Sequence, residues 1–242
     1  MKKLFITLTA IVAMAFCANA QVNIQEQYDF NREHLTTTLE MFKADNWGST
    51  FFFTDIYHPL QYSMPMGYYT EIARSLNFWQ DTKLGALSAH AEWNGGQLAN
   101  RAWLFGAEYF LHSQDFRYRL TLEVLYKTII DNDQDVPMQF TIVWGCDDIF
   151  GVKGLAFSGF ADFWWEKWTW GTKENGDPDV TNVVFISEPQ IWYNIGQFFN
   201  CPNLNIGGEV EFAYNFAGAW RPVFGDNKGL TIAPACGLKW NF

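Results

Sequence analysis

The sequence predicts an all-β fold: a transmembrane antiparallel up-and-down β-barrel of about twelve strands, with both termini periplasmic. Three observations point there. The last stretch, 229–242, alternates Leu230, Ile232, Pro234, Cys236, Leu238, Trp240 and Phe242 with Thr231, Ala233, Ala235, Gly237, Lys239 and Asn241, so an apolar stripe closes on a terminal aromatic. Aromatics make up 19% of the chain, with 12 Trp, 10 Tyr and 23 Phe. A soluble core of this size leans on Leu, Ile and Val, whereas a membrane barrel needs aromatic girdles outside and a polar lumen inside. Period-two alternation dominates, and few segments carry a helical period.

Taken in order, the chain opens on Met1-Lys2-Lys3, a short basic segment, followed by the apolar run Leu4 to Phe16 and the small-residue site Ala18-Asn19-Ala20. That pattern is a Sec signal peptide over 1–20, which leaves 21–242 as one barrel domain. Beyond residue 20 no run of about 18 apolar residues exists, so no helical span is expected.

Breaks at Gly, Pro, Asn and Asp then delimit strands near 22–31, 34–43, 48–57, 68–79, 84–94, 101–111, 116–127, 137–145, 153–165, 182–193, 204–214 and 230–242. Each is close to the roughly 9–11 residues that cross a bilayer at a tilt. In the first, Val22, Ile24, Tyr28 and Phe30 oppose Asn23, Gln25, Gln27 and Asp29. In the seventh, Phe116, Tyr118, Leu120, Leu122, Val124 and Tyr126 oppose Arg117, Arg119, Thr121, Glu123 and Lys127. In the eleventh, Leu204, Ile206, Val210, Phe212 and Tyr214 oppose Asn205, Glu209 and Glu211. A cationic side chain on the lipid face near the midplane costs roughly 2–4 kcal/mol, which is why the faces must segregate. Arg74, between Ile72 and Leu76, breaks the rule.

The connections give a second indication. Periplasmic turns are expected near 44–47, 80–83, 112–115, 146–152 and 194–203, and outer loops near 32–33, 58–67, 95–100, 128–136, 166–181 and 215–229, most of them longer, with the short first outer connection and the long last periplasmic turn as exceptions. Trp164, Trp165, Trp168 and Trp170 then read as a girdle at the outer rim. Cys146 and Cys201 fall in successive periplasmic connections, where a bridge and free thiols are both compatible with the spacing.

The formal net charge is −10, and loss of Lys2 and Lys3 with the leader takes it two units lower. Nucleic acid is excluded as a partner on that ground, because phosphate binding needs basic stripes. The three cysteines beyond the leader have no metal-ligand spacing, and no cofactor motif is seen.

Inward carboxylates are expected at Asp29, Glu40, Asp55, Glu71, Glu92, Glu108, Glu123, Asp162, Glu188, Glu209 and Glu211, and inward bases at His90, Arg117, Arg119, Lys127 and Lys239. Such a lumen disfavours anions and admits small neutral or cationic solutes. On the third strand, Ser49, Phe51, Phe53 and Asp55 share one side, and Thr50, Phe52 and Thr54 the other. Periodicity alone leaves open which of these sides faces the lumen.

Several segments resemble the Tsx-like nucleoside-specific channels of bacterial outer membranes. They are Leu39 to Trp47 with the aromatic strand ending at Asp55, Tyr69-Thr-Glu71-Ile72, Leu155 to Trp164 around Gly159-Phe160, and Leu238 to Phe242. The resemblance runs in order along nearly the whole mature chain. It implies a monomeric twelve-stranded barrel, without cofactor or catalysis, that passes nucleosides or similar small polar solutes. It also implies insertion by the barrel-assembly machinery through the strand ending at Phe242. By the same resemblance, Glu40, Phe51, Phe53, Asp55, Glu71 and Asp162 form a solute path of stacking rings and ribose-binding acids. The chain departs from the family where Ser49, Phe51 and Phe53 replace hydroxyl and acidic residues.

Two other functions compete: a non-conducting structural barrel, and a lipid-modifying barrel enzyme built on a histidine and a hydroxyl nucleophile. The second lacks a nucleophile motif, and Ser113 merely adjoins His112.

Overall fold

Strands of this length and period send alternate side chains to opposite faces, so a closed sheet sorts them into lipid-facing and lumen-facing sets. The computed structural model describes residues 20–60, 67–97, 100–130, 132–216 and 228–242. The expected leader falls outside them apart from Ala20, as do most of the loops expected at 58–67 and 215–229.

The strands are β1 (Ala20–Asp29), β2 (His34–Asp45), β3 (Gly48–Pro59), β4 (Gly67–Leu76), β5 (Leu87–Gly96), β6 (Ala102–His112), β7 (Tyr118–Ile129), β8 (Met138–Cys146), β9 (Leu155–Thr172), β10 (Pro178–Ser187), β11 (Gln190–Tyr193), β12 (Leu204–Tyr214) and β13 (Leu230–Asn241). All belong to one antiparallel sheet in which β13 pairs with β12 and with β1. The sheet therefore closes, and edge-to-edge aggregation is removed with its edges. Asn23 lies opposite Asn241, and the Phe242 amide donates to the Val22 carbonyl at 2.9 Å, so both ends of the chain meet at one rim. That rim is the terminal end; the other is the far end.

β10 and β11 both sit between β9 and β12, so together they form one stave and the barrel has twelve. The sequence reading expects one strand over 182–193. It is broken at Glu188-Pro189 because proline has no N–H to give the ladder. The Glu188 amide and the Ser187 hydroxyl both donate to the Phe160 carbonyl, at 3.1 and 2.8 Å. Gly159 accommodates the break with φ +154°, and a Cβ there would lie 2.4 Å from the Glu188 carbonyl oxygen and 2.7 Å from the Trp144 ring. Gly159→Ala is therefore expected to cost about 1–3 kcal/mol, the range for overpacking. Urea unfolding in lipid vesicles checks it, and an unchanged midpoint would show that the break relaxes freely.

The faces follow the predicted parity. Trp103, Phe105, Tyr118, Leu122, Val124, Tyr126, Ile232 and Leu238 are exposed on the outside. Gln25, Gln27, His90, Glu92, Asn94, Glu123, Lys127, Gln139, Asn205 and Glu211 are buried inside. This inside-out distribution, in a closed twelve-stave barrel, is that of an outer-membrane protein.

Three expectations change, and Arg74 stays on the outward side that its parity gives. β9 runs to Thr172 rather than ending at 165, because its ladder with β10 continues, with register shifts, through Trp168 opposite Thr181, Thr169 opposite Val180 and Thr172 opposite Pro178. Arg74 is outward but sits near the terminal rim, bound to Asp45 at 2.7 Å and to the Thr50 hydroxyl at 3.0 Å. Arg117 and Arg119 serve that same rim rather than the lumen, facing Asp115 at 3.6 Å and Asp147 at 2.6 Å. Connections 77–86, 147–154 and 194–203 at the terminal end rival those at the far end, so loop length separates the two rims poorly. Cys146, Cys201 and Cys236 are free thiols.

Candidate functional site: the lumen

The alternation on β3 turns Phe53, Asp55 and Tyr57 inward, and that on β4 turns Tyr69 and Glu71 inward beside them. The Phe51 and Phe53 centroids are 5.9 Å apart, and Phe53 and Tyr69 are likewise 5.9 Å apart, so three tilted rings form a ladder. Acids alternate with the rings. Asp55 accepts from the Thr38 hydroxyl at 2.5 Å and from the Tyr57 hydroxyl at 3.5 Å. Glu71 accepts from the Tyr69 hydroxyl at 2.5 Å.

The opposing wall comes from β7, β8 and β9. Asp162 accepts from the Thr141 hydroxyl at 2.6 Å, and Glu166 from the Trp164 indole at 2.8 Å and the Asn100 amide at 2.6 Å. Lys127 donates to Gln139 at 2.7 Å and lies 4.0 Å from the Trp164 ring centroid. Leu104, Leu125, Val184 and Ile186 pack with Trp164 and fill part of the interior on this side, which narrows the aqueous path.

Arg32, from the tight turn between β1 and β2, reaches into the lumen at the far end. It binds Asp29 at 3.0 Å and makes a short ion pair with Glu211 on β12. Burial opposes its charge, but the Glu211 and Asp29 carboxylates outweigh that, so its pKa stays above the ordinary arginine value.

Together these groups line a cavity of about 100 Å³ that is open to solvent. Of the sequence-predicted residues, Phe53, Asp55, Glu71 and Asp162 line it. The side-chain faces left open on β3 thus resolve with Phe53 and Asp55 inward. Phe51 touches Phe53, and Glu40 accepts from the Asn23 amide at 2.8 Å; both lie nearer the terminal end, outside the cavity lining. Sequence reasoning missed Tyr57, Tyr69, Glu166 and Arg32 as cavity residues. The first three share the parity of neighbours already assigned inward, which was signal enough; Arg32 sits in a turn, where parity says nothing. Trp164 and Trp168 line the cavity and Trp170 is buried against Thr181, so three of the four expected girdle residues are elsewhere. Trp165 faces outward against Phe140 and Phe163.

Among the described residues, neither His58 nor His112 sits between a carboxylate and a hydroxyl. His58 lies 3.0 Å from the Thr37 hydroxyl, which donates to Glu26 at 2.6 Å on the outer face. Hydroxyl activation needs the imidazole between acid and hydroxyl, whereas here the hydroxyl is in the middle. His112 stacks on Phe116, and the Ser113 hydroxyl donates to Asp115.

The fold is similar to that of solved porins. The NanC porin superposes with a TM-score of 0.55 at 7% identity, over 91% of this chain and 100% of that one. The KdgM porin gives 0.48 at 9% identity over 92% and 99%, and the outer membrane protein Omp33 of Acinetobacter baumannii gives 0.43 at 12% over 93% and 98%. No curated protein sequence matches the chain. Residues 20–242 match a single family model, described as a domain of unknown function (DUF5020), and the chain belongs to that family.

Proposed function

We propose that the barrel is a passive channel for small neutral or cationic polar solutes, with nucleosides as the class its cavity suits best. The observation that carries this is the ring ladder of Phe53 and Tyr69, set between the carboxylates of Asp55 and Glu71 and opposite Asp162. An aromatic face stacks on any base, and carboxylates accept hydrogen bonds from ribose hydroxyls. Excess carboxylate in a narrow lumen repels anions. The porin fold shared with NanC is consistent with conduction. In this reading the terminal end is periplasmic, the barrel is a monomer, and the strand ending at Phe242 engages the assembly machinery. The nucleoside part follows the Tsx-like resemblance.

A second reading, a non-conducting structural barrel, draws on the apolar packing of Leu104, Leu125 and Trp164 inside the lumen and on the Arg32 bridge near its far end.

Single-channel recording in planar bilayers separates the two. The channel reading expects discrete open steps, a reversal potential favouring cations, and interruption of current by added adenosine or uridine. Phe53→Ala should weaken that block at least about fivefold, since stacking contributes roughly 1–3 kcal/mol per base. A steady current indifferent to every nucleoside would remove the substrate while keeping the pore. Absence of any open step would leave the structural barrel.

A further inference from the structure

Outside the cavity lining, β5, β6 and β7 converge three potential ligands that the channel reading does not use. His90, Glu108 and Glu123 each present one donor atom, and these atoms lie within 4.8 Å of one another. Glu108 and Glu123 are direct cross-strand partners, an arrangement of like charges that destabilises a sheet unless something lies between them. Glu123 is 8% exposed and has no hydrogen-bond donor among the described residues. This largely buried carboxylate faces the His90 imidazole and Glu108, each within 4.8 Å. Gly106, opposite His90 on β6, puts no side chain into the space between them.

The surroundings are ordered as a metal site's outer shell would be. His90 Nε2 faces Glu92 at 3.2 Å, which leaves Nδ1 directed at Glu108, also at 3.2 Å. A carboxylate behind a ligating histidine sets its tautomer and raises its basicity. Glu92 is itself held by the Asn94 amide at 3.1 Å, and the Ser75 hydroxyl donates to Glu108 at 2.5 Å. The separation of Nδ1 from the Glu108 oxygen is close to the edge, about 3.3 Å, of a tetrahedron with metal–ligand bonds near 2.0–2.1 Å.

We propose that His90, Glu108 and Glu123 bind one divalent transition-metal ion of the zinc class inside the lumen. One imidazole nitrogen and two carboxylate oxygens form a three-ligand set that leaves a fourth position for water. Calcium and magnesium are disfavoured, because they seek all-oxygen shells with more ligands. The ion draws together three adjacent strands and neutralises the Glu108–Glu123 pair. The proposal is independent of what passes through the pore.

The test uses the whole barrel, purified in detergent, stripped with a chelator and titrated with zinc by calorimetry. One equivalent should bind. Glu123→Gln should abolish binding, and Glu92→Gln, which alters only the outer shell, should weaken it about 10–100-fold. Replacing His58 and His112 by Asn should leave it unchanged. Heat-modifiable migration on gels verifies that each variant is folded. If Glu123→Gln does not fold, X-ray absorption of the zinc-loaded parent decides: nitrogen and oxygen scatterers at about 2.0–2.1 Å support the site, and any sulfur overturns it. Failure of the stripped parent to bind zinc, or undiminished binding by folded Glu123→Gln, also overturns the proposal and leaves His90 as an imidazolium strut between carboxylates.

Discussion

Arg32→Ala is expected to destabilise the barrel by roughly 3–5 kcal/mol and to make its current more cation-selective, the cost being that of removing one member of a buried ion pair. The guanidinium spans Asp29 on β1 and Glu211 on β12, so it ties together two staves flanking β13, next to the seam where the barrel closes. Its loss leaves two buried carboxylates without their cation, close to Asp55 and Glu188 on the cavity wall. The Asp29 oxygen would keep the Asn31 amide, at 2.8 Å, so the turn itself survives. Urea unfolding followed by tryptophan fluorescence reads the stability. Reversal potentials in a potassium chloride gradient read the selectivity. Arg32→Lys should fall between the two, because an ammonium cannot reach both acids with a planar fork. A reversal potential unchanged in Arg32→Ala would show that ions do not pass this point.

Lys127→Met should have a comparable cost, again roughly 3–5 kcal/mol, for the same reason at a different place. Lys127 is 6% exposed and shares the cavity's second wall with Asp162 and Glu166. Methionine keeps most of the aliphatic stem but removes the ammonium, and with it the hydrogen bond to Gln139 and the cation–π contact with Trp164. If the loss arises from uncompensated carboxylate, adding Asp162→Asn should recover part of it, and a double-mutant cycle measures that coupling. Simple additivity of the two changes would mean that Lys127 is held by Gln139 and Trp164 alone.

Much of this architecture was legible in one sequence because a membrane barrel writes its faces into alternate residues. Ten of the eleven carboxylates assigned inward lie on strands and share their lumen parity, and Glu188, in the break between β10 and β11, still lines the cavity. Errors cluster where parity carries no information. Arg32 belongs to a turn. Glu188-Pro189 splits a stave by removing one N–H, which a reading by hydrophobicity passes over. The tryptophans of 164–170 illustrate a different limit. Composition marks them as interfacial, but Trp164 and Trp168 are inward because β9 continues past 165 across a register shift at Glu166 and Lys167, and only its pairing with β10 shows that.

For the site, the sequence supplied residue types and faces, and the barrel supplied proximity. Phe53, Asp55 and Glu71 are near one another on consecutive strands, so their grouping could be anticipated. Asp162 joins them from across the lumen, and Glu40 does not, because closure and register decide depth along the axis. His90, Glu108 and Glu123 show the same division. Each was individually readable as lumenal, while their convergence depends on the registers of β5, β6 and β7.

By itself, the sequence determined that the chain crosses a membrane as strands, that its outside is apolar and that its inside is acidic. Those properties are local: a period of two and the cost of charge in lipid enforce them residue by residue. Only the tertiary structure decided which acids meet which rings, where Arg32 bridges the far end, and which three strands bring a histidine to two glutamates. Those depend on register and closure, where sliding one strand moves every side chain along the axis while leaving the alternation that the sequence displays intact or simply inverted.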